Sequence, residues 1–286
     1  MEGKILALAC AVCFGLNPVM LRIGFARAGS VDAAVIIGLA IAIPLYVALA
    51  PFVGGLRWAE VSAPALVSFA LAGLFGAGIG RRWLYTAIDR IGASPATALK
   101  NTAPLFTTAL AIPILGERVG ALQWVAVASI IVGITLVSWR GGGGARQLLD
   151  LGVIAALGSA MSYGVRPLIL KFGLTEANLP LTAALVGSIS ALAYAVLLSR
   201  PWRYRFANDG RRAFWLFVGA GVVQALGFLA LSFGLARDAV SVVYPITSTA
   251  PLFALAFTWL LLRGTDAVTW RLALGVVVVT AGVVVL

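Results

Sequence analysis

Ten apolar stretches, each close to the length of a membrane-crossing helix, follow one another with only short connections between them. They fall at 3–25, 31–53, 63–88, 93–115, 121–138, 149–172, 179–199, 213–236, 240–262 and 267–286. A helix of about 20 apolar residues spans the roughly 30 Å of hydrocarbon in a bilayer. Inside that hydrocarbon every backbone amide must be satisfied internally, which leaves only helices and closed barrels. The stretches are continuously apolar rather than alternating, so they predict helices: an all-α, polytopic membrane protein with ten transmembrane segments. Composition agrees, because 62% of the 286 residues are hydrophobic and 11% charged, whereas about half apolar is usual in soluble domains.

The net charge of +11 would suit a nucleic-acid partner if the basic residues shared one soluble face. Instead they sit in connections. Arg27, Arg90, Arg140, Arg146, Arg200, Arg203, Arg205, Arg211, Arg212, Arg263 and Arg271 follow the odd-numbered spans, while Lys4, Arg57, Arg118, Lys171 and Arg237 flank the other side. Positive loops stay in the cytoplasm. The asymmetry therefore predicts both termini on the non-cytoplasmic side, in a bacterial cytoplasmic (inner) membrane, with lipid and no nucleic acid as surroundings. Lys4 followed by an apolar run resembles a signal segment, but the run is long and has a counterpart deep in the chain, so it reads as a retained first helix.

With no histidine in the chain, Cys10 and Cys13 on one face of the first span lack partners for a metal site. They read as buried free thiols. Gly73, Gly76, Gly80, Gly158 and Gly164 follow no strand, so they read as helix-packing positions rather than a phosphate loop. No cofactor or metal is expected.

Self-comparison divides the chain in two. The string Asn101-Thr102-Ala103-Pro104-Leu105-Phe106 matches Ser248-Thr249-Ala250-Pro251-Leu252-Phe253 at an offset of 147, which also aligns Gly80 with Gly227, Arg90 with Arg237 and Ser94 with Ser241. At an offset of 149, Phe14-Gly15-Leu16-Asn17-Pro18 pairs with Tyr163-Gly164-Val165-Arg166-Pro167, and Arg22 with Lys171. Shared hydropathy alone would not align these strings. The expected halves are 1–140 and 149–286, joined by a glycine-rich cytoplasmic linker at 141–148. Five crossings per half is an odd number, so the second half is inverted relative to the first about an axis in the membrane plane.

Thr102-Ala-Pro-Leu-Phe106, Leu115-Gly-Glu-Arg118, Trp124 and Gly133 resemble the drug/metabolite transporter superfamily, specifically its EamA-type members with two five-helix repeats. That resemblance covers nearly the whole chain. It implies a ten-helix carrier of small organic solutes with a central cavity formed by both repeats, and some relatives export amino acids, aromatic ones included. The second repeat has Arg263-Gly264-Thr265 where the first has Gly116-Glu117-Arg118, so the Gly-Glu-Arg turn reads as a helix cap rather than a binding motif.

The residues themselves point to the same chemistry. Thr97, Lys100, Asn101, Pro104 and Thr108 share one helical face, and Tyr244, Thr247, Ser248 and Pro251 repeat most of it. Lys100 lies eight residues into its span, roughly 12 Å along a helix, and exposing a lysine to lipid at mid-depth costs about 2.5–3.5 kcal/mol. It should face protein or water. Ser159, Ser162, Tyr163 and Arg166 form a comparable face, as do their counterparts Cys10, Cys13, Phe14 and Asn17. These faces together predict a cavity built from the first, fourth, sixth and ninth spans. Gly78, Arg81, Arg82 and Tyr85 make a stripe on the third span, where one arginine is expected to snorkel outward and the other to face the cavity. Gln224 is expected in an interhelical hydrogen bond.

None of the ten carboxylates falls at mid-membrane, so the cavity should prefer a carboxylate-bearing solute over an organic cation. The candidate substrate-binding residues are Lys100, Asn101, Asn17, Tyr163, Arg166, Tyr85, Tyr244, Thr97 and Ser248. An amino acid exporter working by alternating access is the leading expectation, able to function as a monomer. A carrier of sugar phosphates or other anionic metabolites is the alternative, and an intramembrane Ser-Lys enzyme stands behind both. Pro18, Pro104, Pro167 and Pro251 each remove a backbone donor and disturb the helix about one turn back, which makes them hinge candidates.

Overall fold

The computed structural model describes residues 2–28, 30–52, 54–103, 105–106, 121–138, 150–198, 210–237, 243, 246–262 and 269–285. Among them there are helices and turns and no strands. The first half contains α1 (Glu2–Ala28), α2 (Val31–Leu49), a third span made of α3 (Ala63–Gly73), a π-helical segment (Leu74–Gly80) and α4 (Arg81–Ile91), then α5 (Ala93–Lys100) and α6 (Ala121–Ser138). The second contains α7 (Leu151–Glu176), α8 (Pro180–Leu198), α9 (Gly210–Arg237), α10 (Ala250–Leu261) and α11 (Trp270–Val285). Six of these segments are long and apolar enough to cross a bilayer, with α10 and α11 shorter apolar helices beside them. The expected linker at 141–148 lies outside the described residues.

Local chemistry sets several boundaries. Ser30 and Ser62 accept hydrogen bonds from Ala33 and Ala65, and Asp150 from Gly152, which satisfies orphan donors at the starts of α2, α3 and α7. Gly92 alone separates α4 from α5, with φ 95°, a backbone conformation that side-chain-bearing residues avoid. The third and fourth spans therefore reverse direction over one residue.

The halves interlock by exchanging partners. Helix α1 packs antiparallel on α9: Phe14 lies against Gly227, Asn17 bonds to the Ala220 carbonyl and Phe217 covers Gly24. Helix α7 repeats this arrangement on the third span, with Trp83 over Gly158, Tyr163 beside Gly80 and Ser68 beside Gly173. The correspondence reaches single contacts. A Cβ on Gly80 would meet Ser162 and Tyr163, and one on Gly227 would meet Cys13 and Phe14, their repeat mates. A Cβ on Gly187 would come within 3.0 Å of the Gly73 Cα, and one on Gly221 within 3.0 Å of the Gly38 Cα. Helices α6 and α11, repeat mates themselves, pack antiparallel through Gly133, Gly275 and Gly282. Ten segments in two inverted five-helix repeats account for this pattern.

One local departure from symmetry bears on the site. The offset between mates falls from 149 at Gly38/Gly187 through 148 at Gly73/Gly221 to 147 at Gly80/Gly227. The π segment lies between the last two pairs. A π turn accommodates one extra residue, whereas α9 runs as an α-helix throughout, so the first repeat carries an insertion that the second lacks.

Close backbone approach through small residues holds such helices together in lipid. A Cβ on Gly73 would sit 2.1 Å from the Gly187 Cα, whereas one on Gly219 would meet only the flexible Met20 tip. Gly73→Ala should destabilise the purified protein by about 1–3 kcal/mol and Gly219→Ala by much less. Equal thermal unfolding curves in detergent for the two variants would contradict this packing.

Candidate functional site

Two helices are broken at repeat-equivalent places. Helix α5 stops at Lys100, and Asn101–Thr102 form a turn in which the Thr102 amide and hydroxyl both donate to the Leu99 carbonyl, at 3.1 and 2.7 Å. Ahead of α10, Ser248–Thr249 form the same turn, with the Thr249 amide and hydroxyl donating to the Ile246 carbonyl at 3.1 and 2.6 Å. The cause is the Thr-x-Pro string. A proline two residues beyond the threonine removes a donor and its ring crowds the carbonyl four residues earlier. The carbonyl so crowded is that of Lys100 or Thr247, whereas the threonine amide and hydroxyl converge on the carbonyl one residue earlier and close the turn.

The breaks meet. Asn101 Nδ2 donates to the Ser248 carbonyl at 2.9 Å. A bond between two positions that are mates under the pseudo-two-fold must lie close to its axis, so the axis runs between the two breaks. Lys100, the last residue of α5, is held at the helix end where exposed carbonyls favour a cation.

Cationic and phenolic side chains gather beside this axis. The Lys100 ammonium lies 5.3 Å from the centroid of the Tyr163 ring. Arg81 donates a hydrogen bond to Tyr163 and interacts electrostatically with Tyr46 and Tyr85. Arg166 stacks its guanidinium 4.9 Å from the Phe228 centroid and repels Lys100. It packs so closely on the π segment that a Cβ on Gly76 would come 2.4 Å from its Cδ. Lys100 and Arg81 are enclosed by protein yet keep accessible surface, as Tyr163 and Arg166 do. Partial exposure of groups so surrounded by protein marks a candidate space between the helices.

The extra residue of the π segment decides which arginine enters. Each residue added to a helix rotates all later positions by about 100°, and Arg81 is the first residue beyond the insertion. Arg81 turns inward to the tyrosines. Arg82 turns away and pairs with Asp32 at 3.0 Å, with both side chains partly exposed.

Not every expected residue lines the space. Asn17 is buried, gives its amide to the Ala220 carbonyl at 2.7 Å and bonds to Tyr85. Tyr85 is itself 2% exposed. Both stand behind Arg81 and support it rather than face the opening. The Thr97 hydroxyl is spent within its own helix on the Ala93 carbonyl at 2.7 Å. Ser248 contributes its backbone carbonyl at the axis. Tyr244 and Pro104 lie outside the described residues. Helices α1 and α7 run through Pro18 and Pro167 without interruption, whereas Pro251 sits in the first turn of α10, just past a break. Sequence reasoning missed Tyr46, buried at 5% exposure and bearing on Arg81 from the core, whose one signal was a hydroxyl-bearing ring inside an otherwise apolar span.

Among the described residues the carboxylates lie elsewhere. Asp32 holds Arg82, Glu60 holds Arg57 at 2.7 Å, Asp150 caps α7, and Glu2, Asp89 and Glu176 stand at helix ends. The interior beside the axis is thus a cationic, aromatic-walled breach between two inverted helical halves.

Such an arrangement defines a multi-pass membrane transporter of small solutes. The chain belongs to the EamA-like transporter family, whose description matches it twice, over residues 1–139 and 150–286. No curated protein matches the sequence. Among solved structures 24 chains match, and one crystal structure shares the fold with a TM-score of 0.62 at 16% identity, over 99% of this chain and 96% of that one.

If the two breaks are equivalent, Thr102→Val and Thr249→Val should each lower stability by about 1 kcal/mol, with matching shifts in thermal unfolding. A shift in only one variant would contradict the equivalence.

Proposed function

We propose that the protein is an alternating-access carrier of a small carboxylate-bearing organic solute, an amino acid or a related metabolite, working as an exporter in a bacterial cytoplasmic membrane. The observation that carries this reading is Lys100, enclosed at the end of a broken helix on the symmetry axis, 5.3 Å from the Tyr163 ring centroid. Holding an ammonium at this depth is costly unless it meets protein or water, and a solute carboxylate is its natural counter-charge. Tyr163 offers an apolar face with a hydroxyl tip, which suits an organic body attached to that carboxylate.

Alternating access follows from rocking the two repeats about the axis. The Asn101–Ser248 bond and the paired turns lie where such a motion pivots, so little backbone has to move in hydrocarbon. Exchange or downhill flow fits better than proton coupling, because the described carboxylates stand at helix ends and loops. The pathway needs the two halves of one chain, which suits a monomer, and the arginine-rich connections favour both termini on the outer side.

A second reading, a carrier of sugar phosphates or other anionic metabolites, draws support from the further cations Arg81 and Arg166. Competition between amino acids and phosphorylated sugars in reconstituted counterflow separates the two. The Lys100 role has its own test in proteoliposomes. Lys100→Ala should depress counterflow of the accepted solute by about tenfold or more, with Lys100→Arg retaining part of it. Unchanged transport in a folded Lys100→Ala variant would remove the lysine from the mechanism.

A further inference from the structure

We infer that Arg81 is a second anion anchor, so that the preferred solute carries two carboxylates, one met by Lys100 and one by Arg81. The inference rests on the carboxylate-carrier reading above and narrows its substrate class to short dicarboxylates and acidic amino acids.

Four observations converge on it. Among the described residues Arg81 meets phenols rather than carboxylates: its hydrogen bond goes to Tyr163, and Tyr46 and Tyr85 bear on it electrostatically. A guanidinium has five donors in a rigid fork, and one hydroxyl engages a single donor, so the face suited to a carboxylate stays available. Its neighbour Arg82 shows the contrast, being matched by Asp32 at 3.0 Å.

The second observation is position. Lys100 and Arg81 address the same tyrosine, the ammonium at the ring and the guanidinium through a side-chain hydrogen bond. One aromatic side chain thus spaces two cations, a separation that a short chain with an acid at each end can bridge. Thirdly, both cations keep open surface inside the bundle, so neither is sealed in a structural role.

The fourth is the one-residue insertion in the third span. The repeat mate of Arg81 across the pseudo-two-fold is Phe228, on a helix without the π segment. Arg81 is therefore peculiar to one repeat, and the irregular Leu74–Gly80 backbone immediately before it sets its direction. Tyr85 and Asn17, bonded to each other behind it, fix the wall against which the guanidinium rests.

The experiment is counterflow in proteoliposomes with succinate against butyrate, and glutamate against glutamine, for the intact chain, Arg81→Lys and Arg81→Gln. The parent protein should prefer the diacid of each pair. Arg81→Gln should reduce that preference by about tenfold or more, and Arg81→Lys should keep most of it. Should Arg81→Gln fail to fold, the parent protein alone still decides: succinate should raise its unfolding temperature in detergent and butyrate at equal concentration should not. Equal use of mono- and diacids by the parent, or an equal fall for both in Arg81→Gln, overturns the second anchor while leaving the carboxylate carrier standing. Failure of every carboxylate tested, with other solutes transported, overturns the carrier reading itself.

Discussion

A backbone carbonyl that loses its helical donor inside a bilayer has no water to replace it, and the rest of this structure is arranged around meeting that demand twice. Each Thr-x-Pro string forces a turn, and each threonine hydroxyl closes on the carbonyl three residues before it. The remaining exposed polarity is pooled by bringing the two turns together, where Asn101 donates to the Ser248 carbonyl. A lone break of this kind would be a liability in lipid. Two breaks facing each other across a symmetry axis make a polar centre that a pathway can pass through, and they place Lys100 at its edge.

Duplication supplies the frame, and divergence between mates supplies the chemistry. Phe14 faces Gly227 where Tyr163 faces Gly80. Asn17 ties itself to Ala220, whereas its mate Arg166 stacks on Phe228 and rests on Gly76. The packing pairs Gly38/Gly187, Gly73/Gly221 and Gly80/Gly227 are glycine in both halves, where helix contacts leave little room for a Cβ. The mates Asn17/Arg166 and Phe14/Tyr163 differ, so a symmetric scaffold carries different groups on its two sides.

Much of the frame was legible in the sequence. Span lengths follow from bilayer thickness, and the Thr-Ala-Pro-Leu-Phe strings with the Gly pairs identified the two repeats and their inversion. The features that escaped reading depended on register and on local hydrogen bonding. The π insertion appears in sequence only as a drift of one in the repeat offset, and without it an α-helical count cannot say whether Arg81 or Arg82 faces inward. Asn17 and Thr97 carry groups suited to a solute, yet both bond to nearby carbonyls, a choice that composition does not encode. Tyr46 became meaningful only when folding set it near Arg81.

The central claim is that the inverted halves enclose a water-accessible chamber reached alternately from the two membrane faces. Its most direct measurement is cysteine accessibility: Tyr163→Cys in a background with Cys10 and Cys13 replaced by alanine, exposed to a membrane-impermeant thiol reagent from each side in turn. Modification is expected from both sides, slowed when saturating transported solute is present. Protection from both sides in a folded, transport-competent protein would contradict it.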